Sequence, residues 1–398
     1  MSTTDDTVNH EKVVPFRLAV PEGDLTELRQ RLALTRWPEA ETVDDTSQGP
    51  RLAKVQALVN HWANEYDWRA TEQLLNEFGQ YTTTIDGLQI HFLHVRSPEP
   101  GAMPMIMTHG RPGSVLEFRK VVGPLTDPVA HGGSAGDAFD LVIPSLPGFG
   151  FSGRPLTNGW GFRRTAQTWI TLMRRLGYDR WVAQGGDLGA CVTEEMAAIT
   201  AEGTETGMVG MHLNMAMFSP TAQEQAEATA EEQKMIDEAQ HYQQQLAAYA
   251  AVQATRPQTI GYSLADSPVG LASWIYAMFQ DVGGTTHGDA ESVFTLNEML
   301  DNITLYWLSN TGASSARMYW EMAHSRWSPP SSLDTPMTLP TGITIMPGEY
   351  VRKPRRWVER RYTNLVHFNQ VTAGGHFALL EQPNLLIDEI RTTFHDLR

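Results

Sequence analysis

The chain has 398 residues, 41% of them hydrophobic and 19% charged, enough to bury a large core in one main domain with appendages. Thirty basic against 46 acidic residues leave a formal charge of −16, which repels phosphate backbones and anionic lipid, so neither nucleic acid nor a membrane is expected as a partner. No early stretch has a signal-peptide core and no later one approaches the roughly 20 apolar residues of a membrane span, so a soluble, cytoplasmic protein is expected.

After an acidic tail, Val14 to Pro21 alternates enough to predict a short strand. Asp24 and Glu27 read as a capping box for a helix with Leu25, Leu28 and Leu32 at helical spacing, which Trp37-Pro38 ends. Further helices are predicted from about Gln48 to Glu65 and from Trp68 to Phe78, with Trp37, Trp62, Tyr66 and Trp68 as an aromatic core joining them to the next domain. From Tyr81 the period changes to two, and Asp86-Gly87 reads as the turn of a hairpin. Short apolar strands at 104–108, 139–144, 181–184 and 208–217 alternate with helical patterns, one of them from Arg163 to Leu176, and predict a mostly parallel sheet covered on both faces. The sheet pattern then lapses until 343–349 and 365–371, an interruption the size of an inserted cap. Residues 221–253 within it are rich in Ala, Glu and Gln and read as one long or kinked helix. The basic run 351–362 reads as a solvated helix face making ion pairs.

The chemistry concentrates at Val182 to Ala190, where an apolar strand stops at two glycines, presents Asp187, and restarts as a helix. A strand-to-helix elbow forces its central side chain out of a tight bend and needs small residues two before and two after it; Gly185 and Gly189 supply them. A carboxylate in that position attacks alkyl carbon, displacing an alkoxide or halide and leaving an ester that water can cleave. In hydrolases built on such an elbow an acid and then a histidine follow at the ends of later strands, and Glu349 and His376 do so here. His376 would take a proton from water while Glu349 fixes its tautomer. The loop from Thr108 to Ser114 can aim one backbone N–H at the developing oxyanion, and Leu188 can give the other. Cys191, one helical turn after Asp187 and the lone cysteine, excludes an internal disulfide and reads as packing.

HGRPGS, PSLPGFGFSGRP, GGDLG, DSPVGLASWI and GGHFALLEQP, with an amino-terminal helical segment ending in TRWPE, resemble the microsomal-type epoxide hydrolases of the α/β-hydrolase superfamily from about Pro15 onward. That resemblance implies an α/β-hydrolase fold with an eight-stranded, mostly parallel sheet, a helical cap and an amino-terminal helical extension. The expected division is an extension over 1–80, a first part of the core over 81–217, a cap over 218–338 and a second part of the core over 339–398. It implies Asp187 as nucleophile, His376 as base, Glu349 as its partner, and the N–H groups of Arg111 and Leu188 as oxyanion hole. Two cap tyrosines would hold and protonate the epoxide oxygen and fall on Tyr249 and Tyr319, with Tyr242 and Tyr262 as alternatives to the first. The implied reaction adds water to an organic epoxide to give a vicinal diol, without metal or cofactor, in detoxification or secondary metabolism; a homodimer is left open. The chain departs from the family in carrying Arg111 and Leu188 where tryptophans are usual, and is expected to go without the membrane anchor of the animal enzymes. Arg111 could point outward or meet an acidic or strongly polar substrate, and because a buried, unpaired guanidinium is costly the first is expected. The rival enzyme reading is a haloalkane dehalogenase, for which Leu188 offers no halide-gripping N–H; a non-catalytic binding protein on the same fold would be expected to show a broken triad.

Overall fold

The structure, a computed structural model, describes residues 12–203, 207–324 and 336–398. Its sheet has nine strands: β1 (Val14–Phe16), β2 (Gln80–Ile85), β3 (Leu88–Val95), β4 (Met103–Thr108), β5 (Phe139–Pro144), β6 (Trp181–Gly185), β7 (Met208–Leu213), β8 (Thr341–Ile345) and β9 (Leu365–Gln370). They lie in the order β1-β2-β3-β5-β4-β6-β7-β8-β9. From β5 to β9 the neighbours are parallel, while β1, β2, β3 and β5 pair antiparallel. The expected count of eight becomes nine because Val14–Phe16 joins the edge of β2, in the register Val14 to Thr82. The hairpin turn carries Asp86 and Gly87 at positive φ, as a two-residue turn matching the strand twist requires.

The parallel strands are covered on both sides, and alternation sorts their residues between two cores. Ile106, Val142 and Ala183 join Trp169, Leu172, Val192 and Met196 on one side. Met105, Met107, Leu141 and Val182 join Leu386 and Ile390 on the other. The covering helices are α1 (Glu22–Ala33), α2 (Leu52–Asn64), α3 (Trp68–Glu77), α4 (Val122–Thr126), α5 (Phe162–Arg175) and α6 (Leu188–Ala201), with the later helices of the chain. Helix α1 begins at Glu22 after Pro21 and has no side-chain cap, so Asp24 lies inside the first turn and the expected capping box does not form. Trp62 and Trp68 are buried, but Trp37 is exposed and does not join the aromatic core. Tyr66 donates to Asp301 Oδ1 at 2.7 Å, and Asp301 also binds Thr71 and Arg119, which ties the amino-terminal helices to the cap.

Between β7 and β8 stand α7 (Ala222–Ala226), α8 (Ala230–His241), α9 (Ala248–Thr255), α10 (Pro257–Asp266), α11 (Pro268–Val282), α12 (Leu296–Leu308) and α13 (Gly312–His324). The single helix expected over 221–253 is broken. Thr221 and Thr229 each form a capping box, with Glu224 and Glu232, and an N-cap threonine needs an extended backbone that a continuous helix cannot supply. Residues Tyr242–Leu246 form a π turn between α8 and α9. After β8, α14 (Arg355–Arg361) carries the basic run; α15 (Ala378–Glu381) and α16 (Pro383–Phe394) close the chain. That run is less solvated than expected. Arg352, Arg356 and Arg360 pair with Glu238, Glu232 and Glu224 and fasten α7 and α8 onto the core, while Arg361 is buried. Among the described residues no helix is long and apolar enough to cross a membrane.

Candidate active site

Strand β6 runs into α6 through Asp187, whose φ of 49° and ψ of −128° are the strained geometry of an elbow. Glycine is required around it by contact. A Cβ on Gly189 would lie 1.9 Å from the carbonyl oxygen of Thr108, and one on Gly185 would lie 2.4 Å from that of Gly189. Gly189→Ala is therefore expected to push β4 and α6 apart and to lower stability by about 3 kcal/mol, the upper range for overpacking. A denaturant melt checks it, and an unchanged midpoint would contradict so tight a packing.

His376 follows β9 in the loop before α15. Its Nδ1 donates to Glu349 Oε2 at 2.7 Å, and its Nε2 faces Asp187 Oδ2 at 3.7 Å. Burial alone would lower the histidine's pKa; the charge and hydrogen bond of Glu349, with Asp187 and Glu117, outweigh it and hold it at about 10. Burial likewise opposes ionisation of Glu349, but the His376 charge keeps it below the ordinary carboxylate range. The histidine loop is held by Glu381, which accepts from the N–H groups of Gly375 at 2.8 Å, Phe377 at 2.9 Å and Gly284 at 2.9 Å. The N–H of His376 itself donates to Val282 O at 3.0 Å, at the end of α11.

Opposite lies the loop after β4. The N–H of Arg111 donates to Asp187 Oδ1 at 2.8 Å, an approach open only because residue 110 is glycine, whose Cβ would stand 2.3 Å from that oxygen. Leu188 opens α6, so its N–H has no acceptor within the helix. His109 shapes the loop from within: Nδ1 donates to Gly110 O at 2.8 Å and Nε2 accepts from the Leu146 N–H at 3.2 Å. Burial lowers its pKa to about 4, which keeps the ring neutral in that role. From the cap, Asn302 Nδ2 donates to Pro112 O at 2.6 Å and Tyr306 Oη to Gly113 O at 2.8 Å.

Tyr319 on α13 and Tyr249 on α9 stand with ring centroids 6.0 Å apart, edge to face. Burial, then the nearby charge of Asp187, raises the Tyr319 pKa well above 10, so it stays a proton donor near neutrality. Burial does the same for Tyr249. Tyr242 is brought to the same cluster, with Oη 2.6 Å from Tyr249 Oη and its ring stacked on Tyr350. Tyr262 is exposed on the surface and does not approach them. A cavity of about 1340 Å³ lies beside the site, touching Tyr249 and Glu349 but not lined by Asp187 or His376.

Arg111 does not point outward. Its side chain is buried, Nε donates to Ser315 Oγ at 3.1 Å, and the guanidinium lies over the Tyr319 ring, 6.0 Å from its centroid. Sequence reasoning also passed over Glu117 and Glu381. A Cβ on Gly113 would lie 2.3 Å from Glu117 Oε2, and burial pushes the Glu117 carboxyl up to about 7. Glu381 lies inside GGHFALLEQP, a few residues past Gly375, which was the available signal; Glu117 lies three residues beyond HGRPGS, outside the motif. Among the described residues no group of three His, Cys, Asp or Glu could hold a metal ion.

A mostly parallel sheet with an elbow at the end of a central strand and helices on both faces is the α/β-hydrolase fold, and the α/β-hydrolase family model matches residues 103–273. The model for the epoxide hydrolase N terminus matches residues 13–118. A putative epoxide hydrolase of Stigmatella aurantiaca is 50% identical, over 97% of this chain and 86% of that protein. Epoxide hydrolase 1 of Oryctolagus cuniculus is 32% identical, over 96% and 88%. Among solved structures, Aspergillus niger epoxide hydrolase superposes with a TM-score of 0.85 at 28% identity, covering 97% of both chains. Juvenile hormone epoxide hydrolase from Bombyx mori does so with 0.87 at 27% identity, covering 98% of this chain and 95% of that one. The chain belongs to the epoxide hydrolases, enzymes that add water to an epoxide to give a vicinal diol.

Proposed function

We propose that this epoxide hydrolase works in two half-reactions divided between Asp187 and His376. Asp187 Oδ2 attacks a ring carbon, the C–O bond breaks, and the leaving oxygen takes a proton from Tyr249 or Tyr319. Oδ1 is the spectator oxygen, held by the Arg111 N–H, and becomes the ester carbonyl. Water, deprotonated by Nε2 of His376, then adds to the ester carbon; the oxyanion forms on Oδ1, between the N–H groups of Arg111 and Leu188. Its collapse breaks the bond to Oδ2, which leaves with the product and takes a proton from the new Asp187 carboxyl, while the imidazolium proton restores the phenol. The diol departs and all three groups regain their starting states. The observation that carries this reading is the Asp187–His376–Glu349 line, with one Asp187 oxygen on a backbone N–H and the other facing the histidine. Leu188 gives no side-chain N–H to a halide, which speaks against the dehalogenase alternative.

The aromatic rings gathered at the site, Tyr242, Tyr249 and Tyr319, support a medium-to-bulky epoxide as substrate, in detoxification or secondary metabolism. The net charge of −16 supports work in the aqueous phase of the cytoplasm rather than against an anionic surface.

The two half-reactions also separate by pH. Esterification removes the Asp187 charge that helps hold His376 near 10, so its pKa falls in the intermediate and neutral imidazole becomes available. Below that lowered pKa the ring is protonated and cannot act as base, whereas attack by Asp187 does not need it. Ester should accumulate as pH falls and clear as pH rises. Rapid quench of a turned-over aryl epoxide followed by intact-protein mass spectrometry checks this, and an adduct that grows toward alkaline pH would contradict it.

A further inference from the structure

The guanidinium of Arg111 is the buried charge that the catalytic reading leaves without work. Its backbone serves Asp187, but its side chain turns back along α13 and spends only Nε, on Ser315. Both terminal nitrogens are buried without a hydrogen-bond partner. A guanidinium does not shed its proton to escape burial, and its two parallel N–H bonds match a carboxylate. Ser315 and Tyr319 lie one turn apart on the same face of α13, so the cation sits between the oxyanion loop and the phenol assigned to the epoxide oxygen. The acid that the Arg111 backbone meets is Asp187, and it loses its charge on forming the ester. A second carboxylate, arriving with the substrate, would leave the cation paired throughout the cycle.

We propose that Arg111 selects an epoxide carrying a carboxylate on or next to the ring, which the terminal nitrogens of the guanidinium bind while Tyr319 holds the epoxide oxygen. The proposal rests on the catalytic reading above. The reaction it implies is the same addition of water, with a dihydroxy acid as product. An upstream reaction must then epoxidise an unsaturated acid beside its carboxyl group.

The test compares 3-phenylglycidate with its neutral amide, 3-phenylglycidamide, as substrates, and cinnamate with cinnamamide as competitive ligands. The unmutated enzyme should favour each acid over its amide by about tenfold or more, as for a charge-assisted, bidentate contact. Arg111→Gln should abolish both preferences, and Arg111→Lys should restore part of them, since it keeps the charge and loses the fork. An unmutated enzyme that favours the amides, or an Arg111→Gln variant that keeps the acid preference, overturns the proposal. If Arg111→Gln does not fold, the acid-to-amide ratios of the unmutated protein decide alone. Binding without any epoxide turnover would count against the catalytic reading, while the cinnamate ratio would still judge Arg111.

Discussion

His376→Gln is expected to stall with the substrate covalently attached to Asp187. Attack on the ring carbon needs an ionised Asp187 and a proton for the leaving oxygen, and neither comes from Nε2 of the histidine. Hydrolysis of the ester does need it, because water is a poor nucleophile without a base within reach. Glutamine keeps polar bulk beside Glu349 but cannot accept the proton, so the second half-reaction should slow by about a thousandfold or more. Intact-protein mass spectrometry after incubation with an accepted epoxide should show one added substrate mass, mapped to the peptide that carries Asp187. Asp187→Asn should show none, unless the amide slowly reverts to acid. An inactive His376→Gln protein without adduct, or an adduct on another residue, would remove the ester from the mechanism.

The second large effect is expected from the phenols. An unactivated epoxide expels an alkoxide, and the cluster of Tyr249 and Tyr319 offers two protonated donors kept neutral by burial. Losing one oxyanion donor from a preorganised site costs about a hundred- to a thousandfold in rate. Either Tyr→Phe change alone should cost less, because the remaining phenol still reaches the oxygen, so the double variant should be slower than the product of the single effects predicts. The readout is single-turnover ester formation, which isolates ring opening from hydrolysis. Full activity in the double variant would mean that the donors lie elsewhere, with Tyr242 next in line through its 2.6 Å bond to Tyr249.

What could be read in the sequence was what local spacing encodes. The strands from β4 to β8 are short apolar runs because both faces are covered, and the elbow announces itself because Gly185 and Gly189 are compelled by contacts near 2 Å. The order of acid and histidine after the elbow follows from the fold, so Glu349 and His376 could be nominated without coordinates. The breaks at Thr221 and Thr229 were also spelled out, in threonines three residues ahead of glutamates, but the helix-forming composition around them masked the caps. Arg111 could be read in two directions but not settled, for a different reason. Its direction is set by Ser315, 204 residues away, and the cost of burying a cation argued for the opposite side. Glu381 was hidden in the same way, since its hold on Gly284 forms only when the histidine loop meets the end of α11. Tyr242 and Tyr249 could not be ranked by sequence, because the π turn between them brings both phenols to one place.

The grip of Asn302 and Tyr306 on the carbonyls of Pro112 and Gly113 bears on how such an enzyme can be re-engineered. Helix α12 lies in the helical insertion between β7 and β8, yet it steadies the loop whose N–H meets the nucleophile. Pocket enlargement pursued from this side would therefore trade turnover for scope, whichever substrate was sought. The wall where α8 and α9 meet at the π turn carries Tyr242 and Tyr249, so changes there would touch the phenols that serve ring opening rather than the loop that serves ester cleavage. Directed evolution should find intolerant positions at 302 and 306, where substitution unsettles the oxyanion loop, and at 249, where it removes a proton donor.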